Sequence, residues 1–241
     1  MWKDKVVIVT GGAHRLGKAM ALTVAKLGAN VAITYNASSK EADQTCAEIE
    51  ALGRQALAIS CNQADTDAIK STVEAIYDHF GRIDGLVNSA SVFVEEDFFE
   101  VDPDSWDWVL AVNTKGPFFF TQYAAKHMMA EEGGVIVNII DESVNNPNPT
   151  YPHHTISKAG LWSLTQMTAL RLAPSIRVNA IMPGAVLKPP DWDDARWERL
   201  KTQIPLNKLG SPDDVCQALE YLLCAEFVTG QMIVVEGGVT L

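Results

Sequence analysis

Short runs of apolar, often β-branched residues alternate along this chain with longer segments in which apolar residues recur at helical spacing. The short runs predict seven strands, over residues 5–10, 31–34, 56–60, 85–88, 135–140, 177–181 and 232–235. The longer segments predict helices over residues 15–27, 41–52, 65–80, 104–130, 155–172 and 212–223. A glycine follows three of these helices directly, at Gly28, Gly53 and Gly81, as is common where a helix ends.

The predicted strands are apolar throughout rather than alternating, which is typical of a parallel sheet covered by helices on both faces. Repeated strand–helix units with right-handed crossovers predict a doubly wound α/β fold of the Rossmann type with about seven strands. Residues 1–241 are expected to form one domain. The irregular segment 184–194 is rich in Pro and Asp and precedes Trp197. A lid over a site is therefore predicted around residues 184–202.

Composition narrows the possible partners. A chain of 241 residues with a net charge of -11 and no cluster of basic residues is not expected to bind nucleic acid or an anionic membrane. It contains no apolar run near the roughly 20 residues that span a bilayer. The four cysteines lack metal-site spacing, so we expect reduced thiols and no metal. The first residues lead straight into a strand, which predicts no signal peptide and a cytoplasmic protein.

A glycine-rich turn, TGGAHRLG at residues 10–17, joins the first predicted strand to the first predicted helix. Glycines there let the backbone approach a pyrophosphate, and the helix N-terminus supplies N–H donors and a partial positive charge. This position in the first strand–helix unit is the context expected of a dinucleotide site. The predicted cofactor contacts in the turn are Gly11, His14, Arg15, Leu16 and Gly17.

The end of the second strand indicates which dinucleotide is bound. NAD-binding proteins usually place an acidic residue here to bond the ribose hydroxyls, but this chain has no acid before Glu41. Asn36, Ser38 and Lys40, with Arg15 nearby, suit a 2′-phosphate instead. NADP(H) is therefore favoured over NAD. Ser38 could equally cap the second helix, which is compatible with phosphate binding.

These features resemble the short-chain dehydrogenase/reductase family over essentially the whole chain. The resemblance is carried by the glycine turn, Asn88-Ser89-Ala90, Asn113, Lys158, Arg177-Val178-Asn179, Pro183-Gly184 and Gly237-Gly238. It implies cofactor contacts at Asn62, Asn88, Ala90, Lys158, Pro183 and Gly184, although Asn62 replaces the family's usual Asp. It also implies a catalytic role for Asn113 and a homotetramer formed through the helices at 104–130 and 155–172.

Within that family the chain looks most like the pteridine reductases. Arg15 in the glycine turn, the run Asn88–Phe93 and Asp141, thirteen residues before His154, all match that branch. The resemblance implies that Arg15, Ser91, Phe93 and Asp141 contact substrate, with Phe93 stacking on its ring. Phe93 could instead belong to the core, and Asp141 could simply cap the end of a strand.

The chain departs from the family where a catalytic Tyr is expected. His154 stands four residues before Lys158, at the Tyr position. Imidazole titrates near neutrality, so a pair of Asp141 and His154 is a candidate acid, and its rate should fall at high pH. Tyr151 or Ser143 could supply the missing hydroxyl instead, and His154 could merely fill space. His153 is predicted to be an exposed loop residue.

Three functions stay open on this evidence. The favoured one is an NADPH-dependent reductase that transfers hydride to a pterin-like or other planar carbonyl or imine substrate, with Asn113, Asp141, His154 and Lys158 at its centre. The second is an NADP(H)-binding sensor or scaffold without hydride transfer. The third is a short-chain fold diverted to a lyase or isomerase reaction.

Overall fold

The computed structural model describes residues 2–190 and 192–241. Its seven strands form one sheet in the order β3-β2-β1-β4-β5-β6-β7, with every neighbouring pair parallel. The strands are β1 Val6–Val9, β2 Asn30–Tyr35, β3 Ala56–Ser60, β4 Gly85–Asn88, β5 Gly134–Ile139, β6 Ile176–Pro183 and β7 Met232–Val235. All carboxyl ends lie at one edge, and the strand order reverses between β1 and β4, where ligands bind in open α/β sheets.

Helices cover both faces of the sheet. They are α1 Arg15–Lys26, α2 Ser39–Ala51, α3 Thr66–Phe80, α4 Pro103–Leu110, α5 Gly116–Ala130, α6 Pro152–Leu172, α7 Asp194–Arg199 and α8 Pro212–Cys224. Apolar residues of α1, α2 and α8 pack on one face, and those of α3 and α5 pack on the other. The predicted single-domain, doubly wound fold is confirmed.

Two predicted helices differ from the structure. The single helix predicted over residues 104–130 is α4 and α5 joined through a π-helical turn, Ala111–Lys115, which contains the buried Asn113. A π turn inserts an extra residue and redirects the side chains around it. Helix α6 begins at Pro152, not at residue 155, because proline is favoured in the first turn of a helix.

The prediction for His153 is wrong. His153 lies in the first turn of α6 and is completely buried. Its Nε2 is 3.4 Å from Glu96 Oε2 and 3.3 Å from Ser105 Oγ. In the predicted lid, Asp191 falls outside the described residues, and the segment after it contains α7. None of the described helices is long and apolar enough to cross a bilayer.

The amino edge of the sheet contains a buried carboxylate, Asp84, just before β4. It accepts a bond from the Val6 amide at 2.9 Å and two bonds from the Arg82 guanidinium at 2.8 and 2.6 Å. Lys5 Nζ lies 3.4 Å away. Burial alone would raise the pKa of Asp84, but these partners outweigh it and the pKa is lowered. Asp84 therefore joins β1 to β4 as a fully paired structural anion.

Candidate active site

A cavity of about 560 Å³ opens at the carboxyl edge of the sheet, where the strand order reverses. Its walls come from the glycine turn, the ends of β2–β6 and the first turns of α6. Sixteen of the residues predicted from sequence line it: Gly11, His14, Arg15, Leu16, Gly17, Asn36, Ser38, Asn62, Ala90, Ser91, Phe93, Asp141, His154, Lys158, Pro183 and Gly184. The structure thus brings the cofactor and substrate predictions into one site.

The glycine turn can exist only with glycine at its tightest points. A Cβ on Gly17 would lie 2.1 Å from the Gly11 carbonyl oxygen, and one on Gly11 would lie 2.9 Å from Ala90 Cα. Gly11 also has φ +66°, which strains any other residue. No side chain caps the N-terminus of α1, and no acidic residue stands in its first turn. Its free N–H groups therefore fit the pyrophosphate of a dinucleotide.

The adenosine end of the cavity is polar and has no acidic wall. Asn36, Ser38 and Asn62 line it. Ser38 stands at the N-cap position of α2, but its side chain makes no capping bond. Its hydroxyl is therefore available to a ligand. Arg15 has φ +52° and donates to the Lys188 carbonyl at 2.9 Å, which ties the glycine turn to the predicted lid. Such a left-handed non-glycine residue marks local strain of the kind found at functional sites.

His154 is fixed at the corner of the cavity. Its Nδ1 is 3.0 Å from the Val92 carbonyl oxygen, an atom that only accepts, so Nδ1 carries a proton. Its Nε2 faces Asp141 Oδ1 at 3.9 Å. Because Nδ1 carries a proton, Nε2 can donate only when the ring is fully protonated. The edge of the ring packs against Phe93 with centroids 4.6 Å apart.

Asp141 caps a short helical turn and also lines the cavity. Its Oδ1 accepts from the Ser143 amide at 2.9 Å, so the carboxylate does cap the short turn Glu142–Val144. Burial would raise its pKa, but His154 and Ser143 outweigh burial and lower the pKa to about 2. Asp141 is therefore ionised across the physiological range and holds a negative charge beside His154.

Lys158 lies one helical turn after His154 and is buried beneath the cavity. Its Nζ donates to the Ile139 carbonyl at 2.9 Å. Burial lowers its pKa to about 8, although the charge of Asp141 opposes that shift. The ammonium is therefore charged at neutral pH and loses its proton just above it.

Three predicted residues, Lys40, Asn88 and Asn113, are not among those that line the cavity. Asn88 is buried, and its side chain donates to Asn138 at 2.8 Å and Thr121 at 3.3 Å. These bonds join β4 to β5, and the cofactor contact of Asn88 stays a prediction. Asn113 donates to the Val92 carbonyl at 2.9 Å and to Ser157 Oγ at 3.0 Å. It positions the segment around Val92, and through it His154, rather than touching a ligand.

A second cavity, of about 290 Å³, adjoins the first. Phe93, Asp141 and His154 line both cavities. The two residues considered as alternatives, Tyr151 and Ser143, line the second one. Tyr151 stacks on Phe93 with centroids 4.0 Å apart and donates to Glu95 Oε2 at 2.9 Å. Ser143 is buried, and its Oγ lacks a hydrogen-bond partner among the described residues. Neither stands where the family's Tyr would.

Sequence reasoning missed several residues of the site. Val92 contributes its backbone, which no side-chain pattern reveals. Gln63 lines the cavity and donates to the Val112 carbonyl at 2.7 Å, and Trp108 closes another wall. Glu142 lines the second cavity and directly follows Asp141 in the sequence. Among residues 2–190 and 192–241, no group of His, Cys, Asp and Glu side chains is arranged to hold a metal ion.

The fold and this cavity define a dinucleotide-binding protein of the oxidoreductase type. A family model described as Enoyl-(Acyl carrier protein) reductase matches residues 11–240. The 3-oxoacyl-[acyl-carrier-protein] reductase FabG of Staphylococcus aureus is 34% identical over 245 residues, covering 99% of each chain. The chain belongs to the short-chain dehydrogenase/reductase family.

Solved structures show the same relationship. FolM Alternative dihydrofolate reductase 1 from Brucella suis, in complex with NADP, has a TM-score of 0.94 at 34% identity, covering 100% of this chain and 96% of that one. A short chain dehydrogenase from Burkholderia cenocepacia, also in complex with NADP, has a TM-score of 0.92 at 32% identity, covering 99% of each chain. The predicted cofactor, NADP(H), is confirmed by these relatives.

Proposed function

We propose that this protein is an NADPH-dependent reductase of a small planar substrate with a carbonyl or imine group, a pterin-like ring being the best fit. The observation that carries the proposal is that Ser91, Phe93, Asp141 and His154 line the same cavity as the glycine turn. Tyr151 stacks on one face of Phe93, but half of the residue remains exposed, which leaves ring surface for a planar substrate. The FolM relative, named for dihydrofolate, a compound with a pterin ring, supports this substrate class.

NADPH would be held by the glycine turn at its pyrophosphate, by Asn36 and Ser38 at its adenosine end, and by Lys158 near its ribose. When bound, it supplies the hydride. The chain itself manages the proton. Asp141 faces the His154 ring, whose Nε2 lies 3.9 Å from Asp141 Oδ1 and is the proton donor in this proposal. Asn113 and Val92 keep the ring in place, and Lys158 keeps a positive charge beneath it.

The Asp141–His154 pair replaces the family's Tyr in this scheme. An imine nitrogen is more basic than a carbonyl oxygen, so its reduction demands less of the acid. We therefore place imines ahead of ketones as substrates. The donor-rich amino edge of a pterin would also pair with the ionised carboxylate of Asp141.

The burial of His154 favours a second function, NADP(H) binding without hydride transfer. The ring is almost completely buried and its Nε2 lacks a hydrogen-bond partner among the described residues. A buried donor that cannot meet substrate would leave a protein that holds the dinucleotide as a sensor or scaffold.

One experiment separates these two functions. Native protein and His154→Tyr are mixed with NADPH and a panel of dihydropterins, quinones and aldehydes, and loss of the reduced nicotinamide absorbance is followed. The reductase proposal expects turnover by the native protein, fastest with a dihydropterin. Tight NADPH binding without native turnover, together with turnover by His154→Tyr, would support the binding protein instead.

We also propose that the protein assembles as a homotetramer in the cytoplasm. On the outward side of α5 and α6 the apolar residues Phe118, Ile156, Met167 and Leu170 are exposed, whereas Phe120 and Leu161 pack inward. The charge variant Leu170→Glu should weaken that assembly. Light scattering on the native protein and on this variant checks it, and a native monomer would contradict it.

A further inference from the structure

The second cavity, of about 290 Å³, has no part in the reaction described above. Phe93, Asp141 and His154 line both cavities, so a molecule held in the first can extend a group into the second. Pockets that hold whole small molecules have volumes of about 300–1,000 Å³. The second cavity therefore suits a substituent of the substrate rather than a second molecule of similar size.

The outer wall of the second cavity is a short segment, residues 146–151, whose backbone is held in place. Its two prolines restrict φ. The Asn146 amide donates to the Glu142 carbonyl at 3.0 Å, and the Tyr151 amide donates to the Asn148 carbonyl at 3.2 Å. The wall is thus formed before a ligand enters, which lowers the entropic cost of binding there.

The lining of this cavity offers many hydrogen-bond acceptors, and no Lys or Arg is among the described residues that form it. Its polar members are Asp141, Glu142, Ser143, Asn146, Asn148, Tyr151 and His154. Ser143 is almost completely buried, and its Oγ lacks a hydrogen-bond partner among the described residues. Buried polar groups are nearly always paired, and this hydroxyl can turn about one side-chain bond toward an occupant. The lining therefore favours a polar group that donates hydrogen bonds.

Two carboxyl groups lie where the cavities meet. Asp141 lines both cavities and is ionised. Glu142 lines the second cavity, and its Oε2 lies beside Gly184, a residue of the first, because a Cβ on that glycine would be 3.1 Å from this oxygen. A group that passes from the first cavity into the second must therefore pass close to both acids.

Cations do not balance these acids on the side of the second cavity. Glu95 adds a third carboxylate behind the wall, where it accepts the Tyr151 hydroxyl at 2.9 Å. Lys158 lies beneath the first cavity but does not line the second. Within the described part of the chain, no Lys, Arg or His side chain forms an ion pair with Glu142. The second cavity is therefore a polar space with negative walls.

We propose that the second cavity is a subsite for a positively charged, amine-bearing substituent of the substrate and that it excludes a carboxylate in the same place. This inference rests on the proposed function. An ammonium group brings a positive charge and three donors, which match the carboxylates and acceptors of the walls. A carboxylate would instead meet like charges in a partly buried site, where solvent and salt screen them weakly.

The subsite narrows the substrate class. A planar ring with a short aminoalkyl group is preferred over the same ring with a neutral group, and an acidic group is least favoured. Dihydrofolate carries carboxylates at the end of its side chain, so this chain should discriminate against it. The ring would be shared with the FolM relative, but the side chain would not.

The test measures binding rather than turnover. Three dihydropterins that differ only in one substituent, aminomethyl, hydroxymethyl or carboxymethyl, are titrated into protein loaded with NADP⁺, which has no hydride to transfer. Isothermal titration calorimetry at low salt gives the three Kd values. We expect the aminomethyl compound to bind about 100-fold more tightly than the carboxymethyl compound, as for charges a few ångströms apart near a protein surface. The hydroxymethyl compound should fall between them.

Three variants locate the preference. Glu142→Gln removes a charge that lines only the second cavity, so the preference should fall about tenfold, with the Kd of the hydroxymethyl compound unchanged. The matched control, Glu131→Gln, removes the same charge from an exposed position after α5 and should keep the full preference. Asn146→Lys adds a cation at the exposed outer wall and should reverse the preference.

The outcomes separate the subsite from the proposed function. Equal affinity for the three compounds, or a preference that Glu142→Gln leaves unchanged, would overturn the subsite. Turnover of the hydroxymethyl compound with NADPH in the same protein would then leave the reductase intact. The predicted order of affinities without turnover of any compound would support the subsite and overturn the reductase.

Discussion

Asp84 and Asp141 lie beside strand ends at opposite edges of the same sheet, and their surroundings differ. Asp84 is buried and saturated, with the Val6 amide, the Arg82 guanidinium and Lys5 around it. Asp141 is partly exposed, accepts one backbone bond, and faces a histidine at 3.9 Å, beyond ordinary hydrogen-bond distance. Because these partners occupy the Asp84 carboxylate, it cannot bind a ligand. Asp141 has fewer hydrogen-bond partners, so its carboxylate can still bind a ligand. We therefore assign a stabilising role to the amino edge of the sheet and a functional role to the carboxyl edge.

The sharpest way to break this comparison is Asp141→Asn. The amide keeps the shape and the bond to the Ser143 amide but removes the negative charge that faces His154 Nε2. We expect kcat/KM to fall about 1,000-fold, within the usual range for lost acid catalysis, with NADPH affinity within about twofold of native. Steady-state kinetics and nicotinamide fluorescence titration measure the two quantities. Loss of NADPH binding in parallel would show that Asp141 serves the cofactor instead.

The matched change at the amino edge is Asp84→Ala, which should cost stability rather than activity. Removing one partner of a buried ion pair costs about 3–5 kcal/mol, and we expect about 3 because Arg82 is one-third exposed. The folded enzyme should keep its kcat. Denaturant-induced unfolding measures the loss of stability. Steady-state kinetics, at a temperature where the variant stays folded, measures kcat.

The pKa of Asp84 also fixes the sign of its pH dependence. Because that pKa is lowered on folding, the stability it provides is present above the pKa of an unfolded aspartate. It is lost as pH falls through the folded value. Native protein should therefore lose stability in acid more steeply than Asp84→Ala, and parallel acid curves would contradict the role given to Asp84.

The two edges also differ in how far the sequence could predict them. The glycine turn was predicted residue by residue, because a backbone that tolerates no Cβ leaves a visible signature in the sequence. Side-chain partners that meet across distant segments were not predicted. Asn88 bonds Asn138 and Thr121, and Asn113 bonds the Val92 carbonyl and Ser157, all of them groups brought together by folding. His153 was predicted to be exposed because the start of α6 was placed three residues too late in the chain.

Glu142 is a residue whose unusual properties could not be predicted from the sequence. Nothing in its sequence neighbourhood distinguishes it from a solvated surface acid. Burial and the charges of Asp141 and Glu236 raise its pKa to about 7, and Glu236 lies 94 positions later in the chain. Local patterns predict backbone shape well, whereas the protonation state of a side chain depends on neighbours that only the fold supplies.

A pH titration of Lys158 sharpens the comparison at the carboxyl edge. Burial lowers its pKa to about 8, so it is charged below that pH and neutral above it. NADPH binding should therefore weaken about tenfold between pH 7 and pH 9, as the positive charge beside the dinucleotide is lost. Lys158→Arg keeps its charge at both values and should bind with nearly constant affinity. Equal pH dependence in the two proteins would show that Lys158 does not control this step.

The smallest expected effect comes from Tyr151→Phe, which tests whether the wall shared by the two cavities positions substrate. The change removes the 2.9 Å bond to Glu95 but keeps the ring stacked on Phe93. One hydrogen bond of this kind contributes about 1 kcal/mol, so KM for the planar substrate should rise about fivefold while kcat stays nearly unchanged. Glu95→Gln retains an acceptor and should give a smaller increase. A fall in kcat with unchanged KM would instead place the Tyr151 hydroxyl in the chemical step. The Asp141–His154 pair would then not be the group that protonates the substrate.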